Sequence, residues 1–323
     1  MQHRVYDAEP VKVGMRNSSE LARVTTKAAS AQTFYIIQLL ADRGRTDDAC
    51  RAYAYFRWVD DWLDAETRGR SECRRFVARQ QALIERCYVG NPPARVGHEE
   101  AILVDLIRNN PDRRSPLAAY ILNMMAVMSF DAARRGRLIS QSELDVYQRS
   151  LAVAVTEVMH YFIGRDQPAP HTSERYLAVT AAHIAHMLRD TREDIRAGYF
   201  NIPSEVLRAH GISPLDVESA PYKAWVRTRV QQARRYFRAG RRHLARVRNL
   251  RCRLAAYAYT SRFETVLDRI EDDGFLLRAE YGARKTLRAG LRTAGSILVS
   301  SLGIDALAPA HRTAPQDKHT GRP

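Results

Sequence analysis

The stretch AYFRWVDDWLDAE, Ala54 to Glu66, sets three acids, Asp60, Asp61 and Asp64, among Tyr55, Phe56, Trp58, Val59, Trp62 and Leu63. A second stretch, MLRDTREDIRAGYFNIP from Met187 to Pro203, carries Asp190, Glu193 and Asp194. Asp60 and Asp64 are four residues apart, as are Asp190 and Asp194. On an α-helix that spacing places both carboxylates on one face, a turn apart. Like charges so placed repel, and keeping them beside apolar side chains is costly unless a cation sits there. Magnesium fits, because it takes hard oxygen ligands, keeps some waters and bridges carboxylates to substrate phosphates. Two such helices facing each other could hold two or three ions over a diphosphate. That would make diphosphate a leaving group and expose a carbocation to an apolar pocket. Trp58, Trp62 and Phe34 are the residue type such a pocket uses, since aromatic faces attract cations. A plainer reading stands beside this one. A lone DxxxD is usually a solvated face, and RDTRED alternates acids with arginines, so ion pairs within the helix would account for it. Two copies, one embedded in aromatics, favour the metal.

Helices must carry these residues. The chain has 323 residues, 45% of them hydrophobic, with only 16 Gly and 13 Pro. Arg, Ala and Leu dominate, and alternating β-branched runs are nearly absent, which predicts an all-α fold. Breaks are expected at Ala41–Thr46, Asn91–Gly97, Asn109–Pro116, Gly164–Thr172, Asn201–Ser204, Gly211–Pro221 and near Gly240. Asn17 with Glu20 and Ser140 with Glu143 read as capping boxes. No linker divides the chain. One helical domain of roughly eight to eleven helices is expected over residues 17–308, after a flexible segment 1–16 and before a disordered polar tail 309–323. The apolar stretch Ala294–Ala310 reads as a last core helix, interrupted by Gly303 and Asp305.

The composition narrows the function classes. Four cysteines form no CxxC pair, as in a reduced cytosolic chain. No signal peptide and no run of about 18 apolar residues is evident, so a cytoplasmic protein is expected. The net charge of +15 concentrates in Arg227–Arg253. There the apolar residues recur at helical spacing, which makes a helix with a solvated basic side. Such a surface allows peripheral contact with an anionic membrane. Zinc-finger spacing and RNA-binding aromatic signatures are lacking, so nucleic acid is not an expected partner.

At these residues the sequence resembles the squalene/phytoene synthase family, in order along about Ala29 to Glu280. SAQTFYIIQLL resembles the family's S-x-S-F-Y segment, and YAYFRWVDDWLD its first aspartate motif, Y-A-F-C-R-x-x-D-D-x-x-D. MSFD (Met128–Asp131) is similar to its M-x-M-D, and YQRSLAVAVTEVM (Tyr147–Met159) to its Y-C-x-x-V-A-G-x-V-G-x-M. LRDTREDIRAGYFNIP resembles the second motif, and VLDRIEDDGF the closing I-L-D-x-I-E-x-x-G-Y. The resemblance implies a class I isoprenoid synthase bundle with a central cavity and a motif on each of two opposing walls. It implies magnesium held by Asp60, Asp64, Asp190 and Asp194, with Asp61 and Glu193 in support. Arg57 and Arg189 match positions that meet diphosphate, and Thr33 a hydroxyl there; Phe34 and Tyr147 join the candidate substrate contacts. The implied reaction joins two farnesyl or geranylgeranyl diphosphates head to head. NADPH serves only the squalene-forming branch, and nothing in this chain indicates it.

The chain also departs from the family. Ala31 replaces a serine, Val153 and Thr156 replace both glycines of V-A-G-x-V-G, and His183 and His186 replace Q-x-x-N. Phe263 stands for a tyrosine and Glu280 for an arginine. Val153 and Thr156 are expected to add volume where a prenyl tail lies, or else to be repacking between helices. His183 and His186 read as pocket bases, as donors to diphosphate, or as histidines satisfied between helices. These departures keep a single-substrate terpene cyclase in view. A scaffold protein without activity is the alternative of another class, and the intact aspartates speak against it. The oligomeric state is not legible.

Overall fold

A computed structural model describes residues 15–65, 67–165, 169–279 and 281. These form eleven α-helices with no strand among them. They are α1 (Met15–Ala29), α2 (Ala31–Leu40), α3 (Thr46–Asp64), α4 (Arg70–Tyr88), α5 (His98–Asn109), α6 (Pro116–Arg134), α7 (Gln141–Phe162), α8 (Leu177–Arg196), α9 (Ser204–His210), α10 (Ala220–Ala245) and α11 (Leu250–Asp272). Residues 1–14, the stretch Ala294–Ala310, the tail and Glu280 lie outside the described residues.

Local chemistry sets most of the boundaries. The Ser30, Ser115 and Ser219 side chains accept from backbone N–H groups three residues on, which starts α2, α6 and α10. Pro116 and Pro221 stand in the first turns of α6 and α10, where no N–H is needed. Ser140 and Glu143 form the expected capping box of α7. Asn17 does not cap: α1 is already helical at Met15.

Gly240 does not break a helix either, since α10 runs through it to Ala245. A Cβ at this glycine would stand 2.6 Å from the Ala178 Cβ and 2.6 Å from its backbone nitrogen. The glycine is there to let α10 lie against α8. The arginines of α10 are less free than a solvated basic face implies. Arg234 pairs with Asp268 and Glu271, Arg241 with Glu264, and Arg242 with Glu174.

Two apolar clusters make the core. One is built mainly by α3 to α7, the other mainly by α8, α10 and α11. α7 packs between α6 and α8, and α8 also packs on α10 and α11. α6 is long and apolar enough to cross a membrane by length and composition. It packs instead on α4 and α7 and ends in a buried ion pair, Arg134 with Asp131 at 2.6 Å.

A second buried polar group lies on the far side of α7. Arg175 donates to both Glu157 oxygens at 2.8 and 3.0 Å, and the Tyr176 hydroxyl donates to Glu157 at 2.9 Å. His160 Nδ1 lies 3.1 Å from the Cys252 Sγ. Burial, with the Arg175 charge, pushes the His160 pKa down to about 4.

Candidate active site

A cavity of about 560 Å³ opens between α2, α3, α6, α7, α8 and α11. Its volume lies within the range of about 300–1,000 Å³ usual for small-molecule sites. Each wall is one helical stripe. α3 contributes Ala49, Ala52, Tyr53, Phe56, Arg57 and Asp60, at steps of three and four. α7 contributes Tyr147, Leu151, Val155, Val158, Met159 and Phe162. The polar residues are Ser30, Gln32, Thr33, Arg57, Asp60, Asp131, His183, His186 and Arg262, with the hydroxyls of Tyr53, Tyr120, Tyr147 and Tyr259; most of the remaining lining is hydrocarbon.

The two aspartate motifs sit on α3, which packs on α6, and on α8, which packs on α7. Burial, followed by the negative charge of Asp64, pushes Asp60 up to about 7. Burial and Asp131 raise Asp64 as well. Burial pushes Asp194 up to about 7, although the Asn201 amide donates to it at 2.6 Å. Burial also opposes the charge of Asp190, but Arg189 and His186 outweigh it and hold that carboxyl well below the usual range. Arg189 donates to both Asp190 oxygens at 2.6 and 2.7 Å, and His186 Nε2 lies 2.8 Å from Asp190. Arg57 likewise serves Asp60, at 3.2 Å, and Asp61. Asp61 is solvent-facing, as is Glu193. Among the described residues no three acidic, histidine or cysteine groups converge into a ready metal cage.

Asp131 is the acid that sequence reasoning did not nominate. It projects from the end of α6, raises the pKa of both Asp60 and Asp64, and accepts from Arg134 and from the Tyr147 hydroxyl at 3.2 Å. Arg134 donates onward to Asn201 at 2.8 Å, and Asn201 to Asp194. One buried arginine thus joins the acid of α6 to the second motif. The signal was present in MSFD, whose aspartate stands three residues before Arg134 in a mostly apolar helix. Arg262, on α11, was also missed. It lies 5.0 Å from the Tyr259 ring and 4.6 Å from that of Phe263, with no carboxylate partner among the described residues.

Several nominated residues lie elsewhere. Thr33 lines the cavity, hydrogen-bonded to Ser30 at 2.8 Å. Phe34, the next residue of α2, does not; it packs against the first apolar cluster. Trp58 and Trp62 turn toward α4, where Trp62 stacks on Phe76 at 3.8 Å and Arg68 covers its ring at 3.6 Å. The aromatic faces in the cavity belong to Tyr53, Phe56, Tyr120, Tyr147, Phe162 and Tyr259. Val153 and Thr156 also miss the cavity, because its α7 stripe runs through Leu151, Val155 and Met159. Thr156 instead borders a separate void of about 20 Å³ with His160 and Arg175. Phe263 is buried in the second cluster, and Tyr259, one turn earlier, takes the place on the wall.

A model of the squalene/phytoene synthase family matches residues 27–289. A chloroplastic phytoene synthase from an Oncidium hybrid cultivar is 25% identical over 271 residues, covering 80% of this chain and 63% of that protein. A presqualene diphosphate synthase from Zymomonas mobilis is 26% identical over 214 residues, 66% of this chain and 69% of its own length. Among solved structures, a squalene synthase from Alicyclobacillus acidocaldarius superposes with a TM-score of 0.63 at 18% identity, over 83% of this chain and 98% of that one. At that identity the likeness speaks for the fold alone. The chain thus spans less than two thirds of the length of the Oncidium relative.

Proposed function

The chain belongs to the squalene/phytoene synthase family, and from that premise we propose that it is a prenyltransferase joining two prenyl diphosphates head to head with release of diphosphate. One juxtaposition carries the reading: Asp60 of α3 and Asp131 of α6 line an apolar, aromatic-faced cavity, and the charge of Asp131 reaches Asp64 of α3 and Asp194 of α8, which stand outside its lining. Magnesium suits the donor set. Asp60, Asp64, Asp190 and Asp194 offer hard oxygens, and the repulsion Asp64 exerts on Asp60, and Asp190 on Asp194, is the kind a divalent ion relieves. When bound, magnesium would neutralise charge on the departing diphosphate.

The chain's own residues have the other tasks. Arg57 and Arg189, now paired to acids of the two motifs, can turn to phosphate oxygens as those acids take up metal. Thr33 can donate its hydroxyl at the α2 edge. The hydrocarbon walls exclude water, and the faces of Tyr53, Phe56 and Tyr147 attract a cation left behind. One argument for a single-substrate cyclase falls away, because Val153 and Thr156 do not narrow this cavity.

The test is diphosphate release and product mass with magnesium and, separately, farnesyl and geranylgeranyl diphosphate. A C30 or C40 hydrocarbon is expected, and Asp60→Asn or Asp190→Asn should abolish turnover without loss of fold. A C15 or C20 product would refute condensation; full activity in either variant would refute the site.

A further inference from the structure

Among the described residues that line the cavity, His183 is the one whose buried side-chain nitrogens have no hydrogen-bond partner. Its side chain is 5% exposed, on the wall of the cavity, and neither Nδ1 nor Nε2 has a hydrogen-bond partner. The neighbouring polar groups are occupied: half-buried Asp131 with Arg134 and Tyr147, half-buried Asp194 with Asn201, and the Nε2 of the exposed His186 with Asp190. A buried imidazole with both nitrogens empty bears its desolvation cost with nothing in return. Such a group is a feature to be explained by what enters the cavity.

Of the polar side chains nearest the ring, the Tyr147 hydroxyl is spent on Asp131 and the His186 Nε2 on Asp190. The imidazole is also kept from carrying a proton of its own, by burial and by His186, Arg134 and Arg229 around it. What remains is an unprotonated nitrogen lone pair facing a hydrocarbon ligand. His183 lies seven residues before Asp190 on the same helix, about 10 Å along its axis at 1.5 Å per residue. With diphosphate at the acids, the ring stands beside the head carbons of the prenyl chain rather than its tail.

We propose that His183 is the base that ends the reaction by taking a proton from the carbon beside the final cationic centre. This rests on the prenyl-diphosphate reading above. The balance is as follows. The C–O bond of the allylic diphosphate breaks and diphosphate departs with the electron pair. An alkene of the second chain supplies the pair for the new C–C bond, and the cation so formed loses a first proton to the departed diphosphate, leaving one joined chain that still carries a diphosphate. Its C–O bond breaks in turn, and the second diphosphate departs with its electron pair. The last cation then loses a C–H proton to a His183 nitrogen, and that bonding pair becomes the C=C bond. The imidazolium, disfavoured beside Arg134 and Arg229, passes its proton to the departed diphosphate. The product is an alkene that has gained neither hydride nor water, so the reaction needs no reductant.

The full-length protein is incubated with magnesium and the prenyl diphosphate it turns over, unlabelled or deuterated at C1. Diphosphate release and products are measured separately, in the wild type, His183→Phe and His183→Gln. Melting curves identify any variant that has not folded, and the other variant then carries the comparison. The expected result is diphosphate release retained within about tenfold, while the share emerging as the wild-type alkene falls by about a hundredfold, the lower bound for a lost general base. A mixture of alcohols or isomeric alkenes should replace it. If deprotonation is at C1, deuteration should divert the wild-type product ratio as well. The same alkene at the same share from a folded variant would overturn the assignment and leave the parent reading standing. So would a wild-type product carrying oxygen from labelled water. No diphosphate release by the wild type would overturn both.

Discussion

Replacing Gly240 with alanine sets two effects of known size against each other. In an isolated helix the exchange is favourable by about 1 kcal/mol, because glycine is the poorer helix former. In this protein the new Cβ would stand 2.6 Å from two atoms of Ala178, 0.8 Å inside the 3.4 Å at which ordinary contact begins. One of those atoms is backbone, so no rotamer change relieves the clash and α8 and α10 must separate. Overpacking of this kind costs up to about 3 kcal/mol, leaving a net loss of about 2 kcal/mol. At about 2–4 °C per kcal/mol for a domain approaching this size, the melting temperature should fall by roughly 4–8 °C. The activity should fall further than the stability. α8 carries His183, Asp190 and Asp194, and a displacement near 1 Å at a reacting centre can cost about a hundredfold in rate. Thermal unfolding and turnover of Gly240→Ala, measured together, decide the matter. A melting temperature that stays or rises would show that helix propensity governs this position and that the close approach is unimportant.

Arg134→Leu should destabilise the protein by about 3–5 kcal/mol, since it strands Asp131 without its ion pair; the double variant with Asp131→Leu should recover most of that in urea unfolding, and equal losses would refute the coupling. His160 has a folded pKa of about 4 against an ordinary 6.5. Because the folded form is the weaker base, its contribution is present above pH 6.5 and lost as the pH falls toward 4. The loss approaches about 3 kcal/mol at 1.36 kcal/mol per pKa unit. His160→Leu should flatten that part of the stability profile, and parallel profiles would show that other groups are responsible. Leu151→Ala enlarges the cavity wall and should alter product length or distribution, whereas Val153→Ala should not; the reverse pattern by mass spectrometry would mean that the prenyl chain lies against another face of α7.

Spacing revealed the helices and the acids, since four-residue intervals mean the same thing in any helix. It could not tell which of two stripes on α3 turns inward. Trp58 and Trp62 are also four apart, and only the position of α4 shows that they belong to the outer stripe. The same ambiguity placed Val153 and Thr156 on the cavity in advance, one stripe away from Leu151 and Val155. Asp131 stayed hidden because its weight comes from two other helices that direct their acids at it. Gly240 looked like a stop because a glycine between arginines reads the same whether a helix ends there or another helix presses close.

α2 spans ten residues and buries none of them. One side gives Thr33, Ile36 and Ile37 to the cavity, while Tyr35 and Leu39, on the other, are 54% and 75% exposed. A helix fastened so lightly has little free energy to lose by opening, and such segments exchange their amide hydrogens well before the core does. The enclosure around the cavity is therefore uneven in strength. α3, α6, α7, α8 and α11 are the firmly packed walls, and among the walls α2 is the one that thermal motion reaches first.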